Sequence, residues 1–340
     1  MSDQKDLVLD IKHLTKLFPI GGINDSRKVH AVDDVTFSVP RREIVTLVGE
    51  SGSGKSTTAR LIARLIEPTS GEIIYNGNDV LKTEARGASL EYRGDVQMVF
   101  QDPFGSLNPA HTIHHHLERP LKIHKKVSGH KATRDRIYEL LDTVGLGPAE
   151  EVAARFPYEL SGGQRQRVAF ARALSVEPKV MLADEPVSML DVSIRVGVLN
   201  LMKRLADESG LSFLYITHDI ASARYISNHT NVMYAGRMVE GAPSDELVHE
   251  PAHPYTKLLL SAVPNPHAGL RTEQLETRGE IPSLIDPPPG CPFAARCPHV
   301  MPVCREVMPE RTSINADHWV RCHLYGSGES PLPKSAQAIG

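Results

Sequence analysis

No apolar run in the 340-residue chain approaches the roughly 20 residues a helix needs to cross a bilayer. The opening residues, MSDQKDLVLD, are polar and acidic. They lack the basic start and apolar core of a secretory signal. Neither sign of charge dominates: 38 Lys and Arg stand against 41 Asp and Glu, a formal net charge of −3. No global basic field therefore points to nucleic acid. Cysteine is scarce. The chain has four, and three of them fall within the single stretch GCPFAARCPHVMPVC. These absences lead us to expect a cytosolic chain whose membrane role, if any, runs through a partner. A reducing cytosol argues against two structural disulfides, so the crowded cysteines need another explanation.

What the chain does contain is ordinary for a globular protein: 41% hydrophobic and 23% charged residues. Its length suits two or three domains with a real core. LVLDIKHL (7–14), AVDDVTFSV (31–39) and EIVTLVG (43–49) read as strands, and KSTTARLIARLI (55–66) as a helix stopped by Pro68. EIIYNG, VQMVFQ, KVMLAD, SFLYIT and the pair in NVMYAGRMVEGAP read as further strands. Helical spacing dominates about 106–175, and VSIRVGVLNLMKRLADESG reads as one helix. Strands alternating with helices indicate an α/β fold with a largely parallel core sheet. The helical block reads as an inserted subdomain, and there is no internal repeat. After Pro243 prolines accumulate (EPAHPY, VPNP, IDPPPG). The expected division is therefore 1–242, an extension at 243–325 and a disordered tail at 326–340.

Chemistry enters at GESGSGKST. Gly49, Gly54, Lys55 and Ser56 fit G-x-x-x-x-G-K-[ST] between a strand and a helix, the context that marks a phosphate-binding loop. Glycines let backbone N–H groups turn inward, and the helix offers its positive end to the same anion. Lys55 is placed to reach the β- and γ-phosphates, and Ser56 to ligate Mg²⁺. The strand VMLAD then delivers Asp184 and Glu185 to its C-terminal end, where open α/β sheets bind ligands. Asp184 suits the Mg²⁺ shell and Glu185 the attacking water. Between these halves stands LSGGQ, with Ser161 as a helix N-cap followed by Gly162 and Gly163. One nucleotide site does not need a second anion-binding helix start. A site shared between two chains does.

At this point the sequence resembles the ATP-binding subunits of ABC transporters, over about residues 7–240. Gly49–Thr57, including Ser51 and Gly52, looks like Walker A. Gln101 looks like the Q-loop glutamine, and LSGGQ, ending at Gln164, like the family signature. Asp184 and Glu185 look like Walker B, Asp191 like the D-loop, and His218 like the switch histidine. The resemblance implies a P-loop fold of ABC type: a mixed sheet, an inserted helical subdomain and a Pro/Cys-rich extension. It implies that two ATPase subunits sandwich two Mg-ATP. Each site then takes Lys55, Ser56, Gln101, Asp184, Glu185 and His218 from one chain and Ser161, Gly162 and Gly163 from the other. Gln101 joins Ser56 as an implied Mg²⁺ ligand, and Phe18 is the implied adenine-stacking residue. The implied partners are a second ATPase, a copy or a paralogue, two membrane permeases and an extracytoplasmic solute-binding protein. Nucleic acid is not among them, and the chain would sit at the cytoplasmic face of the inner membrane. In the D-loop, Met189 stands where the family usually has Ala.

EPAHPYTKLLLSAVPNP closely resembles the start of the extension in the oligopeptide and dipeptide importer branch. That moves the expected substrate to peptides, with oligosaccharides or nickel as alternatives within the same machine. A soluble ABC ATPase acting on nucleic acid or ribosomes is the rival from another class. It usually carries two such domains or a coiled-coil insertion, and neither is present here. Cys291, Cys297, Cys304 and Cys322 lack the short C-x2-C step of structural zinc. Four thiolates could still hold Zn²⁺ or an iron–sulfur cluster, or remain free. Members of the resembled branch carry a similar GCPF…RCP…C…C pattern, and some hold a 4Fe–4S cluster there. His299, His318 and His323 lie nearby as possible substitute ligands. The crowded histidines of HTIHHHLERP read as a solvated helix face.

Overall fold

A computed structural model of the protein describes residues 6–21, 25–84, 87–102, 105–262 and 282–325. The tail expected to be disordered, 326–340, lies outside the described residues. Twelve strands are described, in chain order: β1 Leu7–Pro19, β2 Lys28–Pro40, β3 Ile44–Val48, β4 Ser70–Tyr75, β5 Asn78–Asp79, β6 Val96–Val99, β7 Val180–Asp184, β8 Ser212–Thr217, β9 His229–Tyr234, β10 Arg237–Pro243, β11 Thr312–Ser313 and β12 Trp319–Val320.

They form two sheets. A four-stranded antiparallel sheet runs β2-β1-β4-β5, and an eight-stranded mixed sheet runs β11-β12-β10-β9-β3-β8-β7-β6. Its middle, from β9 to β6, is parallel. β3 (IVTLV), β7 (VMLAD) and β8 (SFLYIT) are buried at every position, the continuous pattern of strands covered on both faces. On one side lies the helical block, with helices Ile113–Ile123, His130–Thr143, Ala149–Ala154 and Gly162–Leu174. The antiparallel sheet and the helix Lys55–Ile62 cover the other.

Two features differ from the sequence reading. The helix after the phosphate loop ends at Ile62, not 66. Arg64 turns into the left-handed region (φ 54°), where Leu65 N–H closes the helix end on Arg60 O (2.9 Å), and its buried guanidinium donates to the carbonyls of Val80 (2.8 Å) and Glu84 (3.1 Å). The extension is also tied into the main domain. β12 pairs antiparallel with β10, and Ile285 bridges to Val29 on β2. Tyr255 and Phe293 share one core cluster with Val48, Val232 and Tyr234. Aromatic side chains bury roughly 150–250 Å² each, on the order of 4–6 kcal/mol at about 25 cal/mol per Å².

A buried ion pair locks the extension further. Glu240 accepts from the N–H groups of Ala252 (2.7 Å) and His253 (2.9 Å), while His318 lies 2.8 Å from it through Nε2. Nδ1 of His318 is 2.9 Å from Glu246. Burial alone would lower the His318 pKa, but the two carboxylates outweigh it and the net shift is upward. A raised native pKa adds stability that is complete below the unfolded value near 6.5. That stability is lost as pH rises through the native value. His318→Ala leaves Glu240 buried and short of a partner, so urea unfolding should show a loss of roughly 3 kcal/mol at pH 6. The deficit should shrink as pH rises above about 6.5 and through the raised native value. An unchanged midpoint at pH 6 would show that the pair contributes nothing.

Candidate nucleotide-binding site

The C-terminal ends of β3, β7 and β8 lie side by side in the sheet and face one open cleft of about 580 Å³. Gly52, Lys55, Ser56, Gln101, Glu185 and His218 are among the residues that line it. The phosphate loop leaves β3 at Gly49 and enters its helix at Gly54. Gly54 has φ 102°, and a Cβ there would meet the Ala31 carbonyl oxygen at 2.3 Å. Only glycine tolerates both the dihedral and the contact. A Cβ on Gly49 would meet the Met233 carbonyl oxygen at 2.1 Å.

Lys55 is buried, and its Nζ donates to the carbonyls of Gly49 (2.7 Å) and Glu50 (2.8 Å). Burial lowers its pKa, against the opposing pull of Glu185, Asp184 and Glu50. Lys55 therefore rests folded over its own loop. Ser56 Oγ donates to Asp184 Oδ1 (2.7 Å), which joins the two halves of the expected Mg²⁺ shell directly. Burial raises the Asp184 pKa despite that bond.

Glu185 sits in the left-handed region (φ 45°), and its N–H donates to Ile216 O (2.9 Å). This turns the carboxylate away from the line of β7 and toward the cleft. Gln101 Nε2 donates to Glu185 Oε2 (3.0 Å), and His218 Nδ1 stands 3.4 Å from Oε1. The glutamine, the carboxylate and the histidine thus meet at one point.

The remaining expected residues lie elsewhere. Ser161 caps the helix Gly162–Leu174: its Oγ accepts from Gln164 N–H (3.2 Å), and Gln164 Oε1 accepts from Ser161 N–H (2.9 Å). Ser161, Gly162 and Gly163 do not line the cleft of their own chain, nor do Gln164 and Asp191. Asp191 instead precedes the helix Val192–Ser209 as an exposed residue. Met189 is also exposed. Phe18 lies outside the cleft lining, at the far end of β1, with Lys16 Nζ 5.0 Å above its ring. Of the crowded histidines, His111 and His115 stack at 4.1 Å.

Sequence reasoning missed what the extension brings to the cleft. Leu259 and Leu284 line it, and Arg296 and Tyr255 hold Glu50 in the phosphate loop. No motif spacing links these positions. The Arg of AARCP, directly before Cys297, was the one available signal.

All four cysteines are free and line one narrow cavity with Phe293, His299 and His323. Burial raises the Cys291 thiol to about 12 and the Cys322 thiol to about 11, and it raises Cys297 too. Among the described residues, no group of three or more His, Cys, Asp or Glu side chains is arranged to hold a metal ion. Two of the suggested histidines have other contacts: His318 lies between Glu240 and Glu246, and His323 Nε2 is 2.9 Å from Val307 O.

An ABC transporter family model matches residues 32–188, and a model of the oligopeptide/dipeptide transporter C-terminal region matches 239–304. The putative oligopeptide transport ATP-binding protein YkfD of Bacillus subtilis is 44% identical over 325 residues, spanning 95% of this chain and 97% of that protein. The chain belongs to the oligopeptide/dipeptide branch of ABC transport ATP-binding proteins. The dipeptide transport ATP-binding protein DppF of Haemophilus influenzae is likewise 44% identical, over 87% of this chain and 90% of its own. A dimeric structure of the ATP-binding cassette MJ0796, bound to ADP and Pi, is 30% identical. It superposes with a TM-score of 0.59 over 69% of this chain and 98% of its own. Members of this branch are ATP-binding and ATP-hydrolysing transport subunits, and among the described residues no helix is long and apolar enough to cross a membrane.

Lys55→Ala removes the charge that the sequence motif assigns to the β- and γ-phosphates. Charge-assisted hydrogen bonds contribute roughly 1.5–3 kcal/mol each. Titration with a fluorescent ATP analogue should therefore show Mg-ATP affinity falling about tenfold or more. Unchanged affinity would remove Lys55 from the site.

Proposed function

We propose that the chain is the ATP-hydrolysing subunit of a di-/oligopeptide importer, working at the cytoplasmic face of the inner membrane. The observation that carries this reading is the joining, in one chain, of the Lys55–Ser56–Asp184–Glu185 cleft to the peptide-importer extension. Lys55 would leave the Gly49 and Glu50 carbonyls for the β- and γ-phosphates. Ser56 and Gln101 would hold Mg²⁺, with Asp184 accepting in its outer shell. That ion supplies charge neutralisation on the phosphates. Glu185, oriented by Gln101 and His218, would take the proton of the attacking water.

The helix start at Ser161 points to a partner, because its own chain's cleft does not use it. A second subunit would bring Ser161, Gly162 and Gly163 to the γ-phosphate, with Asp191 at the seam. ATP touching both halves would then favour the closed pair, and loss of phosphate would release it. We assign two membrane permeases and an extracytoplasmic solute-binding protein as the remaining partners, and Phe18 as the adenine neighbour. Gln101, at the junction with the helical subdomain, would carry the motion toward the permeases.

All four cysteines line one cavity, which supports a shared occupant, although their side chains are not already arranged around a metal site. Cys291, Cys297, Cys304 and Cys322 would hold a 4Fe–4S cluster, with Zn²⁺ as the alternative occupant. Loading would displace protons from Cys291, Cys297 and Cys322, which burial keeps neutral, and the extension would gain a clamp.

Two measurements test these readings. Glu185→Gln should cut ATP turnover about a hundredfold or more while leaving Mg-ATP bound, since general bases contribute roughly 10²–10⁴. Turnover at the parental rate would refute the mechanism. Anaerobic purification should give about four Fe and four sulfide per chain with absorbance near about 400 nm. Zinc without iron would remove the cluster.

A further inference from the structure

Glu50 occupies an unspecified position of the phosphate-loop pattern, yet all of its polar groups are engaged. Its N–H donates to Tyr255 Oη (2.8 Å), and its carbonyl accepts from Lys55 Nζ (2.8 Å). Its carboxylate takes both arms of one guanidinium: Arg296 Nη1 donates to Oε2 (2.8 Å) and Nη2 to Oε1 (3.0 Å). Two of these three partners come from the extension.

The Arg296 side chain is 7% exposed and that of Glu50 is 27% exposed. The guanidinium carbon stands 5.8 Å from the ring centres of both Tyr234 and Phe293, and Nη1 is 3.3 Å from Tyr234 Oη. A chain of turn bonds holds Arg296 in place. Its N–H donates to Phe293 O (3.0 Å), Ala294 N–H to Cys291 O (3.0 Å), and Cys291 N–H to Cys304 O (2.8 Å).

A carboxylate at this position is electrostatically adverse. The loop exists to receive several negative charges, and Glu50 lines the same cleft. Like charges at such distances in a partly buried site oppose one another strongly. The buried aromatics already attach the extension, and a buried ion pair is weak evidence for added stability. A planar fork does offer charge cancellation with fixed geometry.

We propose that Arg296 is a positioning residue of the nucleotide site, which through Glu50 cancels a negative charge that would otherwise oppose the phosphates. This rests on the nucleotide-binding reading of Gly49–Thr57.

The test uses the full chain and Mg-ATP, Mg-ADP and AMP as probes, with affinities from isothermal titration and kcat measured separately. Arg296→Gln should raise the Kd for Mg-ATP about five- to tenfold, within the coupling expected of contacting residues. The rise should be smaller for Mg-ADP and near absent for AMP, and it should fall on Kd rather than kcat. The double variant Arg296→Gln/Glu50→Gln should return to within about twofold of the parent, because the adverse charge is gone. An unchanged Kd in Arg296→Gln, or a double variant as weak as the single one, overturns the proposal. Should Arg296→Gln fail to fold, Glu50→Gln alone decides. It leaves Arg296 positive beside the phosphates, so Mg-ATP must bind as tightly as to the parent or more tightly. Weaker binding there overturns the proposal as well. Failure of the underlying reading would look different, since the parent itself would not bind Mg-ATP.

Discussion

A phosphate-binding loop has few side chains of its own, so its shape depends on what presses against its outer surface. In this protein that constraint organises the region around the C-terminal ends of the parallel strands. The Met233 and Ala31 carbonyls crowd Gly49 and Gly54 from outside. The N–H of Gly236, in the turn between β9 and β10, donates to Ser53 O (3.0 Å). The extension contributes the remaining wall through Tyr255 and Arg296. With the backbone fixed from outside, its amides remain available to an anion inside.

Much of this was legible from sequence because local pattern and tertiary role coincide. β3, β7 and β8 are short apolar runs bounded by turn residues, and each leads to residues proposed for the nucleotide site: Gly49, Asp184 with Glu185, and His218. Ser161 announces its helix through a capping box, a purely local signal. Illegible features depend on long-range contact. Nothing in the composition of 243–325 indicates that Trp319 and Val320 would pair with β10, or that Ile285 would bridge to Val29. Just past the early end of the helix from Lys55, Arg64 finds carbonyls at Val80 and Glu84, partners no window of periodicity contains. The Glu50–Arg296 pair spans 246 positions of sequence.

The arrangement also separates two functions of charge. Near the cleft, Lys55, Asp184 and Glu185 sit where burial and mutual attraction oppose one another, which leaves Lys55 and Ser56 with exchangeable partners within the loop and its neighbours. Farther away, Glu240 and His318 form a pair with nothing to exchange, and it fastens the extension to β10. One set lies beside the cleft proposed for a ligand and the other fastens the extension, although both involve carboxylates.

The central claim is that Lys55 and Ser56 exchange protein partners for a nucleotide. A crystal structure of the chain with Mg²⁺ and a non-hydrolysable ATP analogue tests it most directly. Lys55 Nζ should sit on the β- and γ-phosphates, released from the Gly49 and Glu50 carbonyls, with Ser56 Oγ turned from Asp184 onto the metal. Analogue bound away from the loop, or Lys55 still seated on those carbonyls with phosphate present, would contradict it.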